Sequence, residues 1–115
     1  MERWNFVKKE NNKLIYFKIP SYEKTGIVKH CFTTRVGGIS PSPYKSLNLG
    51  TKTDDNWENI KENYNIICST LEIKADNLVI SDQVHKDNIF IVDKEHRGNG
   101  LFYDKKISEV DALIT

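Results

Sequence analysis

The clearest periodic pattern of apolar and polar residues lies between residues 55 and 71. Its apolar members recur every three or four residues: Trp57, Ile60, Tyr64, Ile67, Cys68 and Leu71. This period of about 3.6 predicts an amphipathic α-helix at about residues 55–71. Asp55 is the expected N-cap, with Glu58 three residues later as in a capping box. Cys68 lies on the apolar stripe, so we expect it in the core rather than in a reactive site.

The other apolar segments have the composition of β-strands. The runs 3–8 and 13–19 are separated by Glu10-Asn11-Asn12, and asparagine tolerates left-handed backbone, so they predict a hairpin. Further strand-like segments are 27–34, 78–81, 88–92 and 107–115. Because strands outnumber helices and one helix is convincing, the predicted fold class is α+β.

A loop rich in glycine and proline follows the segment 27–34. The chain breaks at Gly37-Gly38, which can take positive φ, and two prolines then stiffen the backbone. Arg35 lies at the entrance of this loop and Asn48 near its exit. The pattern fits a rigid polar loop that holds a ligand, and it equally fits a double-glycine turn and an ordinary surface loop.

Composition and charge narrow the class of protein. The 115 residues fit one domain, and 17 Lys and Arg against 16 Asp and Glu leave a formal charge of +1. That balance predicts neither a nucleic-acid partner nor a membrane partner. No apolar run approaches the roughly 18–20 residues of a membrane span. The two cysteines, with no export signal, predict reduced thiols and a cytoplasmic location.

Among the three histidines, His85 has the most chemically suggestive surroundings. It follows a predicted core strand and is flanked by Gln83 and Asp87, where an imidazole can bind a metal or transfer a proton. A structural role for His85 remains the alternative. His96 lies in a charged loop and is expected to be a solvated surface residue, and His30, at the start of a strand, is expected to be structural. The sequence has no Cys-x-x-Cys motif and no histidine pair at helical spacing, so His85 would need ligand partners from elsewhere.

Several motifs occur in series and in a specific order. Residues 30–38 read His-x-Phe-x-Thr-Arg-x-Gly-Gly and residues 44–50 read Tyr-x-Ser-Leu-Asn-Leu-Gly; Gln-Val-His at 83–85 and Asp-Ala-Leu-Ile-Thr at 111–115 follow. This series resembles the N-terminal half of the YfiH-like family, the polyphenol-oxidase laccase-domain proteins. The resemblance covers residues 30–115. It implies that residues 1–115 form the N-terminal part of a single, truncated domain within a four-layer α/β/β/α sandwich with mixed sheets.

The resemblance also implies an activity. Family members have been described as purine nucleoside phosphorylases with adenosine deaminase side activity. The implied partners are a purine nucleoside and phosphate, and the implied cofactor is zinc, with copper as the alternative. The fragment by itself is expected to be inactive.

Carried over residue by residue, the resemblance implies a set of site residues. His85 matches the first metal ligand and is an implied catalytic residue, and the remaining ligands, a Cys and a second His, are expected beyond Thr115. Arg35 is the implied catalytic cation that holds phosphate or polarises the leaving purine, and it also contacts substrate. Asn48 and Ser46 are the other implied substrate-binding residues. Arg35 and His85 are expected to converge on one pocket.

Two other functions remain open from the sequence. A copper-dependent polyphenol oxidase would need more ligands than three histidines and the initiating methionine provide. A non-catalytic fragment or interaction module is the third hypothesis. A polypeptide that ends on a core strand is expected to expose a sheet edge and to self-associate through it.

Overall fold

The structure is a computed structural model that describes residues 5–103 and 107–115. The chain forms two compact units, Met1–Glu72 and Ile73–Thr115, which we describe separately. The expectation that residues 1–115 form part of a single domain stays a prediction. Among the described residues, no helix combines the length and apolarity needed to cross a membrane.

A three-stranded antiparallel sheet forms the first unit together with one long helix. Strand β1 (Val7–Asn11) pairs with β2 (Leu14–Lys18), and β2 pairs with β3 (Phe32–Thr33). The predicted hairpin is confirmed, although residues 3 and 4 of its first run lie outside the described residues. Asn12 makes the tight turn with φ of 56°, the left-handed conformation that asparagine accepts most readily after glycine. The strand predicted at 27–34 is reduced to the two residues of β3.

After a short helix α1 (Pro20–Glu23), the long helix α2 (Trp57–Thr70) confirms the helix predicted at about residues 55–71. Its N-cap is Asn56, whose side chain accepts from the Glu58 amide, so the expectation that Asp55 is the cap was wrong. The Asp55 carboxylate is instead bound to the preceding loop. The helix ends at Thr70 with Leu71 as its C-cap, and Glu72 then takes a φ of 57°, the left-handed backbone that commonly closes helices.

The core of the first unit lies between α2 and the sheet. Four of its buried members form one cluster: Leu14, Tyr16, Leu47 and Ile67. Cys68 on α2 is only 3% exposed, which confirms its predicted place in the core. Leu47 brings the glycine- and proline-containing loop into the same cluster, so the loop is anchored by an apolar side chain rather than only by polar contacts.

The second unit is built around a parallel strand pair. Strand β4 (Ile89–Ile91) pairs with β5 (Ala112–Ile114), and Val92, Ile107 and Val110 form the buried cluster beside them. Short 3-10 turns lie at Ala75–Asn77 and Lys94–His96. With one antiparallel and one parallel sheet and a single long helix, the α+β class and the mixed sheets are confirmed.

The strand predicted at 78–81 does not form as a strand. Its residues are held by separate contacts instead: the Ile80 amide donates to the Asn99 carbonyl at 3.0 Å, and Ser81 makes a single parallel bridge to Ile107. Gly100 packs so closely that a Cβ there would lie 2.4 Å from the Ile80 carbonyl oxygen. The segment is therefore packed against a glycine turn rather than extended into a ladder.

One face of the β4–β5 pair carries exposed isoleucines. Ile89, Ile91 and Ile114 are 62%, 73% and 53% exposed, and the strand register places them on the same face. Parallel sheets are usually covered on both faces. The expected self-association through an exposed sheet edge stays a prediction.

Candidate functional site

The loop predicted to hold a ligand is closed at its base by backbone contacts. The Arg35 carbonyl accepts hydrogen bonds from the amides of Ser46 and Leu47, both at 2.8 Å. The Ser46 hydroxyl in turn accepts from the amides of Gly37 and Gly38, at 3.1 and 3.2 Å. Arg35 is thereby fixed by its backbone, while its guanidinium is exposed and makes no ion pair with the described residues.

Asn48 is held by three hydrogen bonds inside the same loop. Its amide nitrogen donates to Thr53 Oγ1 at 2.9 Å and to the Asp55 carboxylate at 3.2 Å, and its amide oxygen accepts from the Gly50 amide at 3.0 Å. Both amide hydrogens are therefore engaged within the chain, as is the Ser46 hydroxyl. The substrate-binding role of Asn48 and Ser46 stays a prediction, and the geometry gives both side chains a role in holding the loop.

A residue that sequence reasoning missed lies at the centre of this network. Asn63 on α2 is completely buried. Its amide nitrogen donates to Ser40 Oγ at 2.9 Å and to the Asn48 carbonyl at 2.8 Å, and its oxygen accepts from the Ile39 amide at 2.9 Å. The missed signal was a polar residue on the apolar stripe, three residues after Ile60 on the same helix face. Asn63 joins the helix to the loop.

The Asp55 carboxylate forms the other junction between the loop and α2. It accepts from the hydroxyl of Ser40, the side chains of Asn48 and Asn59, and the Asn56 amide. The hydrogen bond from Ser40 lowers the pKa of Asp55 most, and the other three donors reinforce it against the opposing effect of burial. The ionised carboxylate is thus the form that the loop stabilises.

Acid should therefore weaken the first unit through Asp55. Because the folded pKa is lowered below its ordinary value of 3.8, the stabilisation is fully present above that value and is lost as the pH falls through the folded pKa. We expect Asp55→Asn to flatten the dependence of the unfolding free energy on pH below about pH 5. Urea titrations at several pH values measure it. Asp54→Asn, at an exposed neighbour, is the control; equal flattening in both variants would contradict the assignment.

In the second unit, His85 lies on a tight loop wrapped around one carboxylate. The Asp111 side chain accepts from three successive backbone amides: Val84 and His85 at 2.8 Å each and Lys86 at 2.7 Å. His85 takes a φ of 59°, which lets these amides converge on one group. The His85 side chain is exposed, and its ring makes no hydrogen bond with the described residues.

The electrostatics of Asp111 follow from these contacts. Burial by itself would raise the pKa of Asp111, but the amides of Lys86, Val84 and His85 oppose it, and the nearby His85 ring adds to their effect. The net result is a lowered pKa, so the carboxylate is ionised at neutral pH. The three amides around Asp111 all donate hydrogen bonds. An ionised carboxylate suits them because both of its oxygens accept and neither carries a hydrogen.

The predicted site residues therefore fall into two groups. Arg35, Ser46 and Asn48 are brought together in the closed loop of the first unit, and His85 lies in the second unit. That Arg35 and His85 share a pocket stays a prediction.

In addition to the predicted site residues, three potential metal ligands cluster around the 3-10 turn at 94–96. One ligand atom each from Asp93, Glu95 and His96 lies within 4.8 Å of the others. The cluster is explained by capping: Asp93 Oδ1 accepts from the Glu95 amide, and His96 Nδ1 accepts from the Asp93 amide, both at 3.0 Å. His96 also packs edge-to-face on Phe90, so it is a structural residue rather than a freely solvated one.

The remaining histidine and the cysteines have structural surroundings. His30 Nε2 accepts from the Ile19 amide at 2.7 Å, and its ring packs edge-to-face on Tyr22. Burial raises the pKa of the Cys31 and Cys68 thiols, which disfavours the thiolate that binds metal. Within the described part of the chain, His85 is thus the imidazole whose two nitrogens are both available.

A groove of about 580 Å³ lies beside the closed loop. It is lined by Gly37, Gly38 and Ile39 from the loop, by the β1–β2 turn and by one side of α2. The predicted substrate-binding side chains do not line it.

The chain is similar to curated purine nucleoside phosphorylases over part of its length. Over 58 residues the chain is 38% identical to a purine nucleoside phosphorylase of Corynebacterium glutamicum, and over 66 residues it is 39% identical to one of Pseudomonas aeruginosa. These segments cover 50% and 57% of the chain but 24% and 26% of the relatives, so the match spans about a quarter of their length.

The fold comparison covers more of the chain. The crystal structure of the hypothetical protein YfiH of Bacillus licheniformis superposes with a TM-score of 0.80 at 28% identity, over 94% of this chain and 39% of that one. YlmD of Geobacillus stearothermophilus gives 0.81 at 26% identity, over 95% and 40%. The family model for multi-copper polyphenol oxidoreductase laccase matches residues 29–115. The chain therefore belongs to this YfiH-like, laccase-domain family.

Proposed function

We propose that this chain supplies part of the active site of a cytoplasmic purine nucleoside phosphorylase. The reaction transfers the ribosyl group of a purine nucleoside to phosphate, giving the free base and ribose 1-phosphate. The observation that carries the proposal is His85, whose ring is exposed and unengaged while its backbone is fixed by Asp111. The relatives named purine nucleoside phosphorylase support the reaction class.

Arg35 has the properties that phosphorolysis requires. Cleavage of the N-glycosidic bond builds positive charge on the sugar and negative charge on the departing base. An exposed guanidinium on a fixed backbone would hold phosphate through two parallel hydrogen bonds or stabilise the leaving purine. Ser46 and Asn48 would contribute chiefly by keeping Arg35 in place.

The residues present fit one ligand of a metal site. His85 offers a free ring nitrogen, and neither thiol of the described chain is suited to join it. The family resemblance assigns the other two ligands, a Cys and a His, to positions beyond Thr115 in the complete protein. Zinc bound there would orient phosphate, or activate water in adenosine deamination.

Replacing His85 tests the proposal in the complete protein. We expect His85→Ala to lose bound zinc and to abolish the phosphate-dependent release of hypoxanthine from inosine. Lys86→Ala is the matched control, because it changes the adjacent exposed side chain but keeps the backbone amide that binds Asp111. Metal analysis and a base-release assay measure both properties. A His85→Ala protein with unchanged zinc and turnover would remove His85 from the site.

The family's description favours a second candidate, a copper-dependent polyphenol oxidase. The two candidates predict different results with the same protein. Intense blue colour on copper loading together with phenol oxidation would favour oxidase chemistry. Base release that depends on phosphate would favour phosphorolysis, and the absence of both reactions would favour a non-catalytic interaction module.

A further inference from the structure

We infer that Asp111 is the positioning residue for His85: its carboxylate binds the backbone of the loop at Val84–Lys86 and so fixes the direction in which the His85 side chain leaves the backbone. The inference deepens the proposed function and rests on it for the metal-binding role of the His85 imidazole. The positioning itself can be tested separately. It also gives a role to the Asp-Ala-Leu-Ile-Thr segment at 111–115, which the proposed chemistry does not use.

The chemistry of the contact calls for a carboxylate. Three backbone N–H groups converge on the side chain within 2.7–2.8 Å, two on Oδ1 and one on Oδ2. An ionised carboxylate has two oxygens that only accept. Asparagine would offer one such oxygen and would turn its own NH₂ group toward an amide N–H.

The carboxylate is itself held in place by the second unit. The Asp111 amide donates to the Asn88 carbonyl at 3.0 Å, and Asp111 lies between Val110, which is 7% exposed, and β5. The Val110 amide donates to the Asp82 carbonyl at 3.0 Å, just before the loop begins. The position of the carboxylate is therefore set by the sheet and the core.

The backbone of His85 shows why an anchor is needed. A φ of 59° is unfavourable for a residue with a Cβ, and glycine would adopt it without strain. The three hydrogen bonds to Asp111 offset that strain. Without them the turn would relax toward negative φ, and the ring would point in a different direction.

The test compares Asp111→Asn with Asp87→Asn, an exposed acidic residue of the same loop. In this chain we expect Asp111→Asn to speed amide exchange at residues 84–86 roughly tenfold and to broaden the orientations of the His85 ring, seen in the NMR relaxation of its Cε1–H group. In the complete protein we expect a loss of about tenfold or more in zinc affinity, with Asp87→Asn unchanged in every measurement.

Three outcomes separate the inference from the proposed function. Unchanged ring order in a folded Asp111→Asn chain overturns the inference, as does normal zinc affinity in that variant while His85→Ala has lost the metal. Zinc retained by His85→Ala overturns the proposed function alone, and ring order then decides the inference. Should Asp111→Asn fail to fold, the unchanged chain provides a second test, through NMR couplings across the hydrogen bonds from the amides of residues 84–86 to the Asp111 carboxylate. Ordered amides without such couplings reject the inference. Couplings together with an ordered His85 ring support it.

Discussion

Asn63→Ala will lower the free energy of unfolding by about 3 kcal/mol or more, because it removes three hydrogen bonds from a completely buried group at once. The Ile39 amide, the Ser40 hydroxyl and the Asn48 carbonyl would each lose a partner, at roughly 1–3 kcal/mol for each group left unsatisfied. A domain of this size has only about 5–15 kcal/mol of stability. Urea unfolding followed by tryptophan fluorescence measures the change.

Asn65→Ala is the matched control for this prediction. It makes the same substitution two residues later on an exposed position of α2, where alanine favours the helix, so stability should not fall. Asn63→Asp adds a second comparison, because it can still accept from the Ile39 amide but cannot donate to Ser40 or Asn48. A loss below about 1 kcal/mol in Asn63→Ala would show that the network is not holding the loop.

Gly38→Ala is expected to destabilise the same junction by about 3 kcal/mol, the upper end for overpacking. A Cβ at this position would lie 2.4 Å from both Asn63 Oδ1 and the Ser46 carbonyl oxygen, and 2.6 Å from the Leu47 Cα. Two of these are backbone atoms that cannot rotate away. The loop would have to separate from α2, which should also displace Arg35. Thermal and urea unfolding measure the stability, and turnover of the complete protein reports on Arg35.

Gly26→Ala controls for the general effect of replacing a glycine. Gly26 has a φ of 69° with no atom within 4 Å of its ideal Cβ, so its replacement should cost only the backbone strain of about 1–2 kcal/mol. Gly38→Ala should lower the free energy of unfolding by more than Gly26→Ala, although Gly38 does not have a positive φ. Equal losses in the two variants would mean that the close approach at Gly38 is relieved easily.

The elements that sequence patterns predicted correctly are those set by local contacts. Helix α2 follows from its apolar stripe, and the β1–β2 hairpin follows from two strands around asparagines, since both need only neighbouring residues. The N-cap was misplaced by one residue because Asp55 is bound by Ser40, fifteen positions earlier. The segment 78–81 failed as a strand because its partner is a glycine turn whose packing no local pattern reveals.

The candidate site was predicted unevenly for the same reason. Motif order nominated His85 and Arg35, a choice that stays a prediction, whereas the contacts that hold the two loops join residues far apart in the chain. Asp111 is 26 residues from His85, and Asn63 is 24 from Ile39. Asn63 was passed over because the helix was predicted from the apolar residues of its stripe alone. Its burial depends on the loop that covers it, which periodicity does not describe.

The separation between His85 and Asp111 has a consequence for biosynthesis. When His85 is added to the growing chain, the carboxylate that binds its neighbouring amides has not yet been translated, since Asp111 follows 26 residues later. A nascent chain paused before that point would carry the histidine on an unformed turn. The turn around His85 would thus form only after Asp111 and the adjoining β5 have been made.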